Sequence, residues 1–228
     1  MNVEQYIQQY QIGDSSLAEV FEGAKQLTKN PLFLNVLDRG YAVENILAER
    51  SILFIGMNPS YNPEVEKVNP EKNSSYPYTH PYFGRIKKIT EKVNEILGTD
   101  YQFAHHDLFY VRNTSQKEVL VMRKELSGFF RAQLSLTKKI IAAVHPRIIV
   151  VANAGACEIF QKDMYPWEPG SPEQWGNHQE LGVDMIKIDG IKERIPVLFT
   201  GMISGQRALD EGSYKTLIWH ICHILRNI

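Results

Sequence analysis

The sequence predicts an α/β protein, a three-layer α/β/α sandwich around a short, mainly parallel sheet. Short apolar runs rich in β-branched residues, SILFI and RIIVV among them, read as strands buried on both faces. Longer stretches with apolar residues at helical spacing alternate with those runs, as parallel βαβ units require. The runs break off at turn-forming residues, and sheets of this kind bind ligands outside the carboxyl ends of their strands.

Residues 14 to 50 read as helical. Asp14, Ser15 and Ser16 offer caps before Leu17, Val20, Phe21, Ala24 and Leu27. Asn30-Pro31 breaks that run, and a second stretch carries Phe33, Leu34, Val36 and Leu37 up to Gly40. Ser51 to Ile55 is the first strand, ending at Gly56. Residues 61 to 76, polar and rich in Pro, Asn and Ser, read as an exposed loop. The block YPYTHPYFGRIKKI leads into a helix through Leu97, and residues 105 to 111 form the second strand candidate. A long helix is expected over 118 to 144, closed by His145-Pro146. Residues 147 to 156 hold the third strand and its turn, and 163 to 180 read as loop. MIKIDG and PVLFTG are two more strands, and 213 to 225 is a closing helix. The chain is read as one domain, 1 to 228, with 1 to 49 a helical extension packed on it.

Composition bounds the function. Of 228 residues, 43% are apolar and 22% charged, which excludes disorder as the overall state. The formal net charge of −1 excludes strong, sequence-blind gripping of nucleic acid unless a local basic patch supplies it. Lys87, Lys88, Lys138 and Lys139 are the candidates for such a patch, or else two solvated helix faces. Cys157 and Cys222 sit in apolar runs and read as free thiols of a reducing compartment. The amino terminus lacks the segments of a signal peptide, and no apolar run has the length of a membrane span. The expectation is a cytoplasmic protein with no membrane partner.

Histidines suggest metal chemistry only superficially. His105-His106-Asp107 leads directly into an apolar run, and His220 and His223 stand three apart without a third ligand. His80 belongs to a Thr-His-Pro turn, and Trp167, Trp175 and Trp219 read as packing residues. No metal and no cofactor is expected.

Four junctions remain where strands end: Gly56-Met57-Asn58-Pro59, Arg112-Asn113-Thr114, Ala152-Asn153-Ala154-Gly155, and Gly201 through Arg207. At the first, an amide side chain stands on the rim of the sheet. Asn58 can hold one water molecule but is too weak a base to deprotonate it. That suits a reaction whose bond breaks largely before water attacks, such as N-glycosidic cleavage through an oxocarbenium-like state.

FIGMNPS followed by YPYTHPYFGRIKKI resembles the mismatch-specific uracil/thymine-DNA glycosylase family of the uracil-DNA glycosylase superfamily. LFYVRNT, HPRIIVVANAGA, EQWGNHQ and PVLFTGMISGQRA continue the resemblance in order, over roughly residues 50 to 226. The resemblance implies a base-excision enzyme acting on damaged or mismatched DNA. Asn58 would position the attacking water, with Met57 and Ser60 offering backbone N–H groups to the base. Tyr78 would stack on the extruded base, and Asn113 would help stabilise its departing anion. Ser204 and Gly205 match the wedge loop, Gln206 takes the place of its intercalating residue, and Arg207 could fill the gap or clamp a phosphate.

The sequence also departs from the family. Met202 and Ile203 stand where the family has Asn-Pro, Ser60 where it has Gly, and the loop from Tyr61 to Ser75 carries Glu64, Glu66 and Glu71. Two further readings therefore stay open: a catalytically weak or inactive relative that binds nucleic acid or a nucleotide, and an enzyme acting on a free nucleoside or nucleotide.

Overall fold

A computed structural model describes residues 16–44, 47–63, 74–76, 82–166, 174–205 and 207–228. The protein is α/β, and its described chain forms two compact units. No helix among the described residues is long and apolar enough to cross a membrane.

One unit comprises residues 46–56, 78–106 and 141–228 and contains the main sheet. Its strands are β2 (Ile52–Gly56), β4 (Phe103–Asp107, whose last residue is assigned to the other unit), β5 (Ile148–Ala152), β6 (Trp175–His178), β7 (Val183–Ile186) and β8 (Ile195–Thr200). They lie in the order β4-β2-β5-β8-β7-β6. β2 pairs parallel to β5 and β5 parallel to β8, while β7 is antiparallel to both β8 and β6. Every residue of β2, β4 and β5 is buried, which only a sheet covered on both faces allows. This alternation is consistent with the expected three-layer sandwich. The order reverses at β2, which has β4 on one side and β5 on the other, so the topological switch point lies at the carboxyl end of β2.

Helix α3 (Phe83–Leu97) packs against α7 (Glu211–Arg226), whose amino end is capped by Asp210 accepting from Ser213 N–H at 2.9 Å. Between β5 and β8 runs the short helix α6 (Ala154–Ile159), continued by one π turn to Met164.

The other unit comprises residues 1–45, 57–77 and 107–140. It holds α1 (Leu17–Gln26), α2 (Pro31–Asp38), α4 (Gln116–Glu125), most of α5 (Ser127–Val144), and the short parallel strands β1 (Ala42–Glu44) and β3 (Ser74–Tyr76). Ser16 caps α1 in a reciprocal box with Glu19, and Asn30 caps α2 ahead of Pro31 at its first position. Phe21 and Phe129 meet edge to face at 4.9 Å, as do Phe109 and Phe130 at 4.7 Å, forming the aromatic core of this unit.

Several elements differ from expectation. The helical reading of 14 to 50 fails at β1, and part of the supposed loop 61 to 76 is β3. The expected helix 118 to 144 is two helices, because Leu126 leaves helical geometry at φ −106° and ψ 45°. The second strand runs over 103–107 rather than 105–111. Leu108, Phe109 and Tyr110 are fully buried, but Phe109 N–H bonds to Met57 O and Tyr110 N–H to Gln133 Oε1, and the stretch makes only an isolated antiparallel bridge, Val111 with Tyr41, beside the bond from Ala42 N–H to Tyr110 O. Their apolar character therefore reports burial more than membership of the main sheet. β6 lies inside the expected loop 163 to 180, paired from Trp175↔Ile186 to His178↔Val183, and β7 starts two residues before MIKIDG. Trp219 is 62% exposed and stacks on His223 at 5.2 Å, so it is no core residue. Trp175 is buried, with its Nε1–H donated to Tyr165 O at 2.8 Å, and Cys157 and Cys222 are free thiols.

Candidate functional site

The chain leaves β2 at Gly56 directly into Met57 and Asn58, and the segment 57–61 is stitched to 109–114 within one unit. Phe109 N–H donates to Met57 O at 2.9 Å, and Asn113 N–H to Pro59 O at 3.0 Å. Thr114 Oγ1 donates to Tyr61 O at 2.6 Å and lies 3.2 Å from Tyr61 N. These bonds fix the backbone on either side of Asn58.

The Asn58 amide nitrogen faces three carbonyl oxygens: Asn113 O at 2.6 Å, Pro59 O at 3.0 Å and Val111 O at 3.3 Å. Reversing the amide would set its oxygen against the same three acceptors, so the orientation is determined by the network. Both amide hydrogens are thereby spent on backbone. Oδ1 is left buried with no hydrogen-bond donor among the described residues. A buried acceptor without a donor forfeits about 1–3 kcal/mol, and native folds keep few of them.

Asn113 is the hub of the neighbouring network. It is buried, and its Oδ1 accepts from Ser115 N–H at 3.1 Å and from Arg39 Nη1 at 3.3 Å. Its Nδ2 donates to Glu118 Oε2 at 3.0 Å. The side chain thus braces the start of α4, and it is the carbonyl of Asn113 that reaches Asn58. Arg39 also donates to Arg112 O at 3.3 Å, and its guanidinium lies 4.3 Å from the centroid of the Tyr61 ring. Arg112 is 4% exposed, with its guanidinium 5.8 Å from the same ring. Burial lowers its pKa; Tyr61 acts against this and the charge of Arg39 with it.

Met57, Asn58, Ser60 and Asn113 are therefore brought together in one unit, with Met57 buried and Ser60 exposed. Tyr78, Gln206 and His80 lie outside the described residues. Ser204, Gly205 and Arg207 belong to the other unit, in the loop from β8 to α7. Ser204 is buried and donates to Tyr82 O at 2.8 Å. Gly205 sits at φ +93°, where a side chain would be strained, and Arg207 is exposed. Leu209 N–H bonds back to Met202 O at 2.8 Å, and Ile203 is 2% exposed, so the loop is a braced turn anchored by an apolar residue.

Sequence reasoning missed Arg39, Tyr61 and Gln133. Arg39 follows a helix in what read as an extension, and the two partners that join it to this network, Arg112 and Asn113, lie more than seventy positions away, so no local pattern marks it.

Among the described residues, no group of three His, Cys, Asp or Glu side chains could hold a metal. His220 bonds to Leu181 O at 2.9 Å, and His105 packs edge-on to Phe83 at 5.1 Å, so both have structural roles. The protein is α/β, and in one of its units Asn58 centres a polar network with the backbone of residues 59, 111 and 113. No protein-family model matches this chain, and no curated protein matches its sequence.

Proposed function

We propose that the protein is a DNA glycosylase, hydrolysing the N-glycosidic bond of uracil or a related damaged or mispaired base. The observation that supports this best is the Asn58 amide. Its nitrogen is pinned by three carbonyls, while its oxygen is an acceptor without a donor among the described residues. An acceptor held in one orientation suits a water molecule that must be aimed but not deprotonated in advance.

In this reading the target nucleotide swings out of the stack into the site. The glycosidic bond breaks with its electron pair leaving on the base, and N–H groups near residues 57–60 stabilise that anion. The water held on Asn58 Oδ1 then adds to the sugar cation and releases its proton. Asn113 serves as a positioning residue through its carbonyl. Arg207 would contact DNA from the turn after β8. The free thiols Cys157 and Cys222 suit a reducing compartment such as the cytoplasm.

A second reading is a nucleic-acid or nucleotide binder without efficient hydrolysis. The buried Ile203 and the adjacent Met202, in place of polar residues, favour it, as does the net charge of −1. Oligonucleotides carrying uracil, mismatched thymine, hypoxanthine or oxidised bases, followed by alkaline strand scission, separate the two. Cleavage of any substrate that is lost in Asn58→Ala supports the glycosylase. Equal cleavage by wild type and Asn58→Ala overturns the role of Asn58, and binding without cleavage supports the second reading.

A further inference from the structure

Arg39 is the carboxyl-terminal cap of α2, in the stretch that the sequence marks only as a helical extension. Its guanidinium spreads over three neutral oxygens. Nη2 donates to Asn35 Oδ1 at 2.7 Å, and Nη1 is shared between Arg112 O and Asn113 Oδ1, each at 3.3 Å. Arg112 returns the contact, its Nη1 donating to Arg39 O at 3.3 Å. Each arginine thus holds the backbone carbonyl of the other, and their guanidinium groups lie 4.3 and 5.8 Å from the centroid of the Tyr61 ring. All of these residues, and Asn58, belong to one unit.

Charge neutralisation does not account for Arg39. Among the described residues it has no carboxylate partner, and its fork is spent on carbonyl oxygens. Burial opposes the charge of Arg112, and the charge of Arg39 opposes it further. A planar fork kept at that cost fixes the position of its acceptors.

Those acceptors govern the surroundings of Asn58. The Asn113 side chain is suspended between unlike charges: Oδ1 accepts from Arg39 and from Ser115 N–H, and Nδ2 donates to Glu118 Oε2 at 3.0 Å. An amide with its oxygen toward a cation and its nitrogen toward a carboxylate has one orientation. The Asn113 N–H is tied as well, to Pro59 O at 3.0 Å. The Asn113 carbonyl is thereby aimed, and it meets Asn58 Nδ2 at 2.6 Å. Val111 O, a second acceptor of the same amide, is one residue from the carbonyl that Arg39 holds, and Pro59 O, the third, is bound by Asn113 N–H.

We propose that Arg39 is a positioning residue for Asn58. Through Arg112 O and Asn113 Oδ1 it sets the carbonyls that aim the Asn58 amide, and with them the direction of Oδ1 toward its water, a role that rests on the glycosylase reading. Removing the fork frees residues 112 and 113 and lets the Asn58 amide turn.

The side-chain amide resonances of Asn58 in a nitrogen–proton correlation spectrum, assigned by their loss in Asn58→Ala, report this orientation whether or not the protein cleaves DNA. Arg39→Ala should shift or broaden them, and millimolar free guanidinium should bring them back. Arg39→Lys keeps the charge without the fork and should show a smaller displacement. Lys162→Ala, in the other unit, should leave them in place. On an oligonucleotide that the wild type cleaves, Arg39→Ala should lower kcat on the order of tenfold with KM little changed, again with recovery in guanidinium. Resonances that stay in place in both Arg39 variants, whatever the melting temperature does, would overturn the proposal. So would displaced resonances with an unchanged kcat, or a displacement that neither guanidinium nor lysine reduces. Where Arg39→Ala does not fold, Arg39→Lys alone decides. Displaced and rescued resonances in a protein that cleaves no substrate would sink the glycosylase reading and leave the hold of Arg39 on Asn58 standing.

Discussion

The amide nitrogen of Asn58 donates to the carbonyl oxygen of Asn113 at 2.6 Å, across 55 positions of sequence. This bond ties the segment after Gly56 to the segment after Asp107 within one unit, and with Pro59 O and Val111 O it leaves Asn58 one orientation.

Asn58→Asp should therefore destabilise the fold more than Asn58→Ala. The carboxylate is nearly isosteric but replaces a donor with an acceptor facing three carbonyls, a loss of about 1–3 kcal/mol or more. Urea midpoints at neutral pH check the ranking. A midpoint for Asn58→Asp at or above that of Asn58→Ala would mean that the amide nitrogen does not hold the network.

Gln133 positions this network from a distance. Its Oε1 accepts from Tyr110 N–H at 2.7 Å, and the Tyr110 hydroxyl lies 2.8 Å from Thr137 Oγ1, all buried. Gln133→Leu should cost about 1–3 kcal/mol by leaving the Tyr110 N–H without an acceptor. Because Tyr110 leads directly to Val111 and Asn113, any base-excision activity should fall with it. Gln133→Glu, which keeps the acceptor, should restore part of both.

Protonation of His106 sets an acid limit. Burial, aided by the neighbouring His105, lowers its pKa from the ordinary 6.5 to about 3. Between those values the unfolded chain binds a proton that the folded protein refuses. This contribution to stability is complete above pH 6.5 and is lost as pH falls toward 3, by at most about 1.4 kcal/mol per pH unit. Urea midpoints at pH 7 and pH 5 should show the fall, and His106→Leu should flatten it. An unchanged slope in that variant would assign the acid sensitivity elsewhere.

Arg207 is exposed. Arg207→Ala should leave the melting temperature within a degree or so, as surface substitutions do. If the turn after β8 contacts DNA, it should weaken binding to an abasic-site duplex several-fold and reduce the salt slope by about one. A fall in melting temperature without a change in binding would make Arg207 a structural residue.

Much of the fold was legible in the chain. β2, β5 and β8 are continuous apolar runs that end at turn formers, and α3 and α7 carry apolar residues at helical spacing. β6 was not legible, because Trp-Gly-Asn-His has strand character only once it is paired with β7. The break at Leu126 was hidden for a similar reason, since helical periodicity runs through it on both sides.

The sequence by itself determined the α/β class, the placement of Asn58 at the end of a buried strand, and Asn113 as a strand-end residue. These are local matters, decided by side-chain patterning and backbone preference over a few positions. Only the tertiary structure decided that the carbonyl of Asn113, and not its amide, meets Asn58, and that Arg39 joins that network. Such juxtapositions depend on which distant segments the fold brings within hydrogen-bonding range, and no spacing along the chain encodes them.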